Sequence, residues 1–184
     1  MRHPLDRLPP GQRRALFLPF LALTLLLMLG VMWPVDLQLR TPASPQGIVS
    51  YELAGDVAHA GAMLDAWDEP ARRWAAFSLG IDYLFMAAYS TTIAFGCLWA
   101  GGVLAAVGPA LGALGPLLAW GSWVAALLDA GENAALAVML LGGGARAPWP
   151  AVAWWCAVKK FGLLVVALLY VLAAAGVRLA RRRA

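Results

Sequence analysis

Four apolar runs, each long enough to cross a bilayer, limit what this chain can fold into. They are "ALFLPFLALTLLLMLGVMW", then "WAAFSLGIDYLFMAAYSTTIAFGCLWAGG", then a stretch within "LGALGPLLAWGSWVAALLDAGENAALAVMLLGGG", and finally "PAVAWWCAVKKFGLLVVALLYVLAAAGVRLARRR". A spanning helix needs about 20 apolar residues, because lipid offers no partner to an unpaired backbone group. Four such helices and their connections use up the 184 residues, so a single membrane domain is expected over 1–184. With 62% hydrophobic and 13% charged residues and a mean hydropathy of +0.72, the chain also lies far from the balance of a soluble domain. The expected fold is all-α: a polytopic four-transmembrane-helix bundle with spans at about 14–33, 73–100, 113–141 and 151–178. The segment 34–72 is then an outer loop carrying short amphipathic helices.

"MRHPLDRLPPGQRR" before the first run has the look of a signal-peptide basic region. The apolar run is longer than the usual signal core, however, and "WPVDLQLRTPA" contains no small-x-small cleavage site, so retention as an anchor is expected. Asp68 and Glu69 before Pro70 form a helix start, with acids at the positive end of the dipole and proline where its missing N–H is harmless.

Orientation follows from arginine bias. Arg2, Arg7, Arg13 and Arg14 precede the first span, and Arg178, Arg181, Arg182 and Arg183 follow the fourth. Both termini are therefore expected in the cytoplasm, with the protein multi-pass in the inner (plasma) membrane. The loop is acidic by contrast: Asp36, Glu52, Asp56, Asp65, Asp68 and Glu69 against Arg40, Arg72 and Arg73. The net charge of +4 thus reflects topology and contact with anionic membrane lipids, and the basic tails lack the interleaved aromatics of a nucleic-acid site. Cys97 and Cys156 lie near opposite ends of their spans, too far apart for a disulfide, and no Cys/His spacing or other motif points to a metal or cofactor.

Within the loop, Gly55-Asp56 reads as a break and cap, followed by Val57, Ala60, Met63, Leu64 and Trp67 at helical spacing. Such a helix either lies on the outer surface as a cover or acts as a lid over a cavity, in which case His59 and Glu52 are the polar groups it offers.

The charged residues inside the spans are the unusual feature. Glu132 and Lys160 lie at equal sequence distance from Arg146, the centre of the "GGGARAPWP" turn, so an antiparallel hairpin brings them to one depth. Lys159 mirrors Asn133 in the same way. Asp82 lies about 15 Å along the second helix from Arg72, close to the same layer. Asp129, Glu132 and Asn133 are spaced i, i+3, i+4 and share one helix face. Asp82 shares a face with Phe85, Met86 and Tyr89, and Lys159 with Trp155 and Tyr170, so aromatic hydroxyls can extend the network. Lys159 and Lys160 are about 100° apart, which lets one face the bundle while the other snorkels to the interface.

The layer is expected in the outer half of the membrane, near the outer leaflet, and unpaired charges are costly in hydrocarbon, so these groups are expected to pair. Three readings follow. The layer is a helix-pairing network, or it is the polar floor of a pocket open outward or sideways, or it is a metal site. The last lacks imidazoles, since His59 alone is near. In the pocket reading three acids against two lysines leave one carboxylate over, to be protonated, to meet a cationic ligand group, or to act as general acid or base.

Other features are bland. Ser90, Thr91 and Thr92 have no histidine partner or nucleophile elbow and read as helix-to-backbone bonding. Gly108 and Gly112 fit small-xxx-small packing, but Pro109 between them equally fits a cytoplasmic turn, so 101–116 is either a turn or a re-entrant piece. Trp33, Trp74, Trp149, Trp154 and Trp155 read as interface anchors.

A first span followed by "VDLQL", a loop of short helices, and "SLGIDYLF" with an acid early in the second span resembles the EXPERA-type four-helix fold of the sigma-2 receptor and emopamil-binding sterol isomerases. The resemblance covers most of the chain as architecture but only those two motifs as sequence. It implies that Asp36 and Asp82 line an intramembrane pocket for amphiphilic amines or sterols. "DAGEN" and the paired lysines lie outside that pattern. The chain is also similar to bacterial four-span proteins with D-x-x-E-N on the third helix, a likeness that implies no activity.

Two functional classes result. The first is a small binding or accessory membrane protein whose polar layer recognises an amphiphilic or lipid-like molecule, with Asp36, His59, Asp82, Tyr89, Asp129, Glu132, Asn133, Lys159 and Lys160 as candidate binding residues. The second is an intramembrane enzyme acting on a lipid or sterol-like substrate, with Asp129 or Glu132 as acid/base, Lys159 or Lys160 as electrostatic partner and Asp82 as positioning group. A roomy cavity touching Asp82, Glu132 and a lysine favours ligand or catalysis, and tight ion pairs without a void favour structure.

Overall fold

The computed structural model describes residues 2–183, and among these every regular element is helical. A short 3₁₀ turn (Pro4–Arg7) leads into α1 (Pro10–Leu27), which continues through a π-turn (Met28–Met32) into α2 (Trp33–Leu37) as one rod. Pro34 explains the π-turn: proline cannot donate to the carbonyl four residues back and its ring would clash with it, and a wider turn relieves both. Short α3 (Ile48–Glu52) and α4 (Val57–Ala66) follow, then three long helices, α5 (Glu69–Leu104), α6 (Pro109–Leu141) and α7 (Trp149–Arg183). The α1–α2 rod and the three long helices are each long and apolar enough to cross a membrane. All four exceed the expected spans at one or both ends, because caps and prolines, and not hydropathy, set where a helix starts.

Asp68 illustrates this. Its carboxylate accepts the Ala71 N–H at 2.9 Å and Pro70 sits in the first turn, so α5 begins at the predicted place. Asp68→Ala is expected to lower stability by about 1 kcal/mol, measurable as a fall of a few degrees in the thermal midpoint in detergent.

α5 is the central helix. In its most apolar stretch 61% of residues are buried, against 6% in the α1–α2 rod, which packs on α5 but makes no extended contact with α7. α5 and α6 cross closely where side chains are absent: a Cβ on Gly115 would lie 2.8 Å from the Cys97 carbonyl oxygen and 2.9 Å from Gly101 Cα. A Cβ on Gly112 would meet Ala105 at 2.7 Å. Gly108 instead caps α6, ahead of Pro109. The segment 101–116 is thus neither a long turn nor re-entrant; two helices run almost to their meeting point and only 105–108 connect them. Both chain ends gather at this end of the molecule, where Arg181 donates to the Ala106 carbonyl at 3.1 Å and His3 is wedged edge-on against Trp120 and Trp123.

The opposite end is closed by the loop. α4 begins at Asp56, whose carboxylate accepts the His59 N–H at 2.9 Å, and it buries Ala60, Met63, Leu64 and the following Trp67, while Val57 stays exposed. These join Leu39, Ile48 and Tyr51 and the ends of α5, α6 and α7 in the largest buried apolar cluster. The loop is therefore keyed into the helices and does not merely lie over them. The indole N–H of Trp67 donates to Leu39 O at 2.8 Å, and Arg72 donates to Leu64 O and Trp67 O. Asp36 fixes the loop's other side: its carboxylate accepts Ile48 N–H at 2.9 Å and pairs with Arg40 at 3.1 Å. Gly47, with φ of +56°, packs so close to Asp36 that a Cβ would collide with the carboxylate.

Candidate functional site

Beneath that cap the charged residues of the three long helices meet. Asp129, Glu132 and Asn133 all point inward from one face of α6, and Lys160 reaches them from α7. The Lys160 ammonium lies 2.8 Å from Asp129 Oδ1 and 2.9 Å from Glu132 Oε2, so the equal-depth count from the α6–α7 turn holds. From α5, Asp82 Oδ2 accepts the Asn133 amide at 2.7 Å, and the Tyr89 hydroxyl donates to Asp129 Oδ2 at 2.7 Å. Three helices therefore carry one contiguous polar network, as their spacing predicted.

The membership differs from expectation at both signs of charge. Lys159 is exposed, its ammonium 5.9 Å from the Trp155 ring, because the 100° step from Lys160 turns it off the buried face. Tyr170 joins nothing here; its hydroxyl donates to Leu111 O, nearer the other end. In place of the second lysine comes another acid. Glu52, at the end of α3, is 12% exposed and its Oε2 lies 3.6 Å from Lys160 Nζ, inside ion-pair range but too long for a hydrogen bond. Burial pushes the Glu52 carboxyl above its usual range, and Lys160 pulls it back. The network thus holds four carboxylates, three of them within 4 Å of its one ammonium. Glu52 was legible as a polar group of the loop, but a five-residue helix has no periodicity to show which way it faces.

An ammonium has three protons to donate. Lys160 directs hydrogen bonds at Asp129 Oδ1 and Glu132 Oε1 and lies 2.9 Å from Glu132 Oε2, leaving Glu52 Oε2, 3.6 Å away, buried without a hydrogen-bond donor. The network is short of donors.

Next to it lies a cavity of about 450 Å3, within the range of small-molecule sites. Glu52, Asp82, Tyr89, Asp129, Asn133 and Lys160 form its polar wall; Glu132 is sealed behind them. Met28, Met32 and Trp33 line one apolar side and Phe161, Leu164 and Leu168 the other. Since the first rod and α7 make no extended contact, the cavity is open sideways between them. Asp36 lies at its edge, but its oxygens are taken by Ile48 and Arg40. His59 is not among the lining residues; its side chain is 71% exposed and paired with Asp56 at 2.7 Å.

Among the described residues no group of three or more His, Cys, Asp or Glu side chains has metal-holding geometry. Cys97 and Cys156 are both buried and free. Ser122 and Thr92 spend their hydroxyls on backbone carbonyls, Ser90 O and Ala88 O, as helix-buried hydroxyls do.

This geometry defines a helical, apolar protein with an off-centre acidic chamber. No family model, curated protein or solved structure matches the chain, so neither resemblance drawn from its motifs gains support from them.

Proposed function

We propose that this is a multi-pass protein of the inner membrane that binds an amphiphile with a cationic, hydrogen-donating head, entering sideways from the bilayer. The observation that carries this reading is the shortage of donors on the cavity wall: Glu52 Oε2 has no hydrogen-bond donor, and half-buried Asp82 meets the cavity with only an amide as partner. Buried acceptors and charges that lack partners are costly, and an alkylammonium supplies up to three N–H donors and a positive charge together. The apolar side chains of the first rod and α7 suit its hydrocarbon tail.

The layer divides by role. Asp129, Glu132 and Lys160 form tight ion pairs that hold α6 to α7. Asp82 and Glu52 complete the wall on the ligand's side. Orientation follows from charge: the arginine-rich end bearing both termini faces the cytoplasm, and the capped end with its chamber belongs to the outer leaflet.

The test uses dodecylamine, dodecanol and dodecanoate as probes on the full-length protein in lipid nanodiscs. Dodecylamine is expected to raise the thermal midpoint and the other two are not. Asp82→Asn should weaken dodecylamine binding by about tenfold or more, about 1.4 kcal/mol, while the ligand-free midpoint changes little. Equal stabilisation by dodecanol, or undiminished binding to Asp82→Asn, would remove the basis for the proposal.

A further inference from the structure

A second cavity, about 900 Å3, lies along the same gap between the first rod and α7, at the end where the chain termini gather. Its chemistry is opposite to that of the acidic chamber. Arg13 and Arg14 of α1 face it from one side and Arg178 and Arg182 of α7 from the other. Arg13 is committed, bound to the Asp6 carboxylate at 3.2 Å and donating to Leu8 O at 2.8 Å. The other three take part in no ion pair among the described residues. Arg178 lies over the Trp99 ring, 5.7 Å from its centre, a contact that restrains its side chain at the cleft, and a guanidinium can meet a phosphate with two parallel hydrogen bonds.

Away from the arginines the cleft is lined by Phe17, Phe95, Trp99, Val103 and Val171. Gly102 also lines it, and a Cβ there would meet nothing within 4 Å, so the missing side chain leaves room in the cleft. Three unpaired guanidinium groups at the mouth of a carbon-lined groove match one ligand chemistry: a phosphate or similar anion carried on a hydrocarbon chain.

We propose that this cleft is a binding site for an anionic glycerophospholipid, its phosphate held by Arg14, Arg178 and Arg182 and an acyl chain lying on Phe17, Phe95 and Val171. A free anion would use the arginines but not the groove, whereas a zwitterionic lipid would fit the groove but offer the arginines no net charge. This site is independent of the acidic chamber and does not rest on its ligand.

Native mass spectrometry of the full-length protein, with phosphatidylglycerol, phosphatidylcholine and inorganic phosphate as probes, tests it. Phosphatidylglycerol should be retained about tenfold or more over phosphatidylcholine, as three basic side chains near an anionic head group warrant. The triple variant Arg14→Gln, Arg178→Gln, Arg182→Gln should lose that preference. Gly102→Leu, which fills the groove while every charge stays, should lose it too. A wild-type protein that holds both lipids equally would overturn the proposal. So would undiminished preference in Gly102→Leu, which would mean diffuse attraction to basic tails, or displacement of the lipid by millimolar-range phosphate, which would mean a free-anion site. If Gly102→Leu folds poorly, the control triple variant Arg2→Gln, Arg7→Gln, Arg183→Gln, outside the cleft, decides: it should keep the preference, and loss there too would mean diffuse attraction and overturn the proposal.

Discussion

Lys160→Met is expected to destabilise the protein by about 3–5 kcal/mol, the usual cost of leaving buried charges without their partner. Among the described residues Lys160 is the only cation within reach of Asp129, Glu132 and Glu52, at 2.8, 2.9 and 3.6 Å, so no neighbouring group among them replaces it. A double variant with Glu132→Gln should recover only part of the loss, because two carboxylates still face the vacated position. The effect should also depend on pH. Burial already raises the Glu52 carboxyl and Lys160 is what lowers it, so without the lysine its folded value rises further above the unfolded one. A group raised in this way binds its proton more tightly when folded, so its contribution is present at acid pH and lost as pH rises through the folded value. Thermal midpoints of wild type and Lys160→Met should therefore lie closer together at about pH 5 than at about pH 8. An unchanged midpoint in the variant, or a gap that narrows as pH rises, would show that the ammonium does not hold this layer together.

The second large effect concerns the α5–α6 crossing. Gly115→Leu should abolish folding, and even Gly115→Ala should lower stability by about 1–3 kcal/mol, because the added carbon meets backbone atoms that cannot rotate away. The obstructing atoms are the Cys97 carbonyl oxygen at 2.8 Å and Gly101 Cα at 2.9 Å. Helix propensity works the other way, favouring alanine by up to about 1 kcal/mol, so the steric term must exceed that to be seen. Gly80 supplies the control: it is an exposed glycine of the same helix α5, with nothing within 4 Å of a new Cβ. Gly80→Ala should be neutral or slightly stabilising. If thermal unfolding in detergent finds the two alanine variants alike, α5 and α6 do not approach as closely as described.

The two effects mark where sequence reasoning ran out. Depth was legible: residues equidistant from a turn in a helical hairpin must meet, and Glu132 and Lys160 do. Which of two adjacent lysines turns inward was not, because a 100° step leaves both choices open until the neighbouring helix is in place. Lys160 is buried and Lys159 is exposed. Asp82 and Asn133, on different helices with no shared turn to count from, were placed in one layer by depth alone, and their 2.7 Å contact depends on how α5 rotates against α6. Of the glycines at that crossing, Gly112 showed an ambiguous pattern with Gly108, packing or a turn, and Gly101 and Gly115 stood out in no motif.

By itself, then, the sequence determined the helices, the start of α5 at Asp68-Pro70, and the shared depth of the charged layer. These are properties of length, capping and rise per residue, all of them local along the chain. Only the tertiary structure decided that Glu52 comes down from the loop as a fourth carboxylate, that Asp36 and His59 have their own partners elsewhere, and that the first rod leaves a gap beside α7. Those outcomes depend on contacts between segments far apart in sequence: Trp67 with Leu39, Asp36 with Ile48, and Gly115 with Cys97. No helical period records such contacts, because each is a matter of which faces meet and not of how the individual helices form.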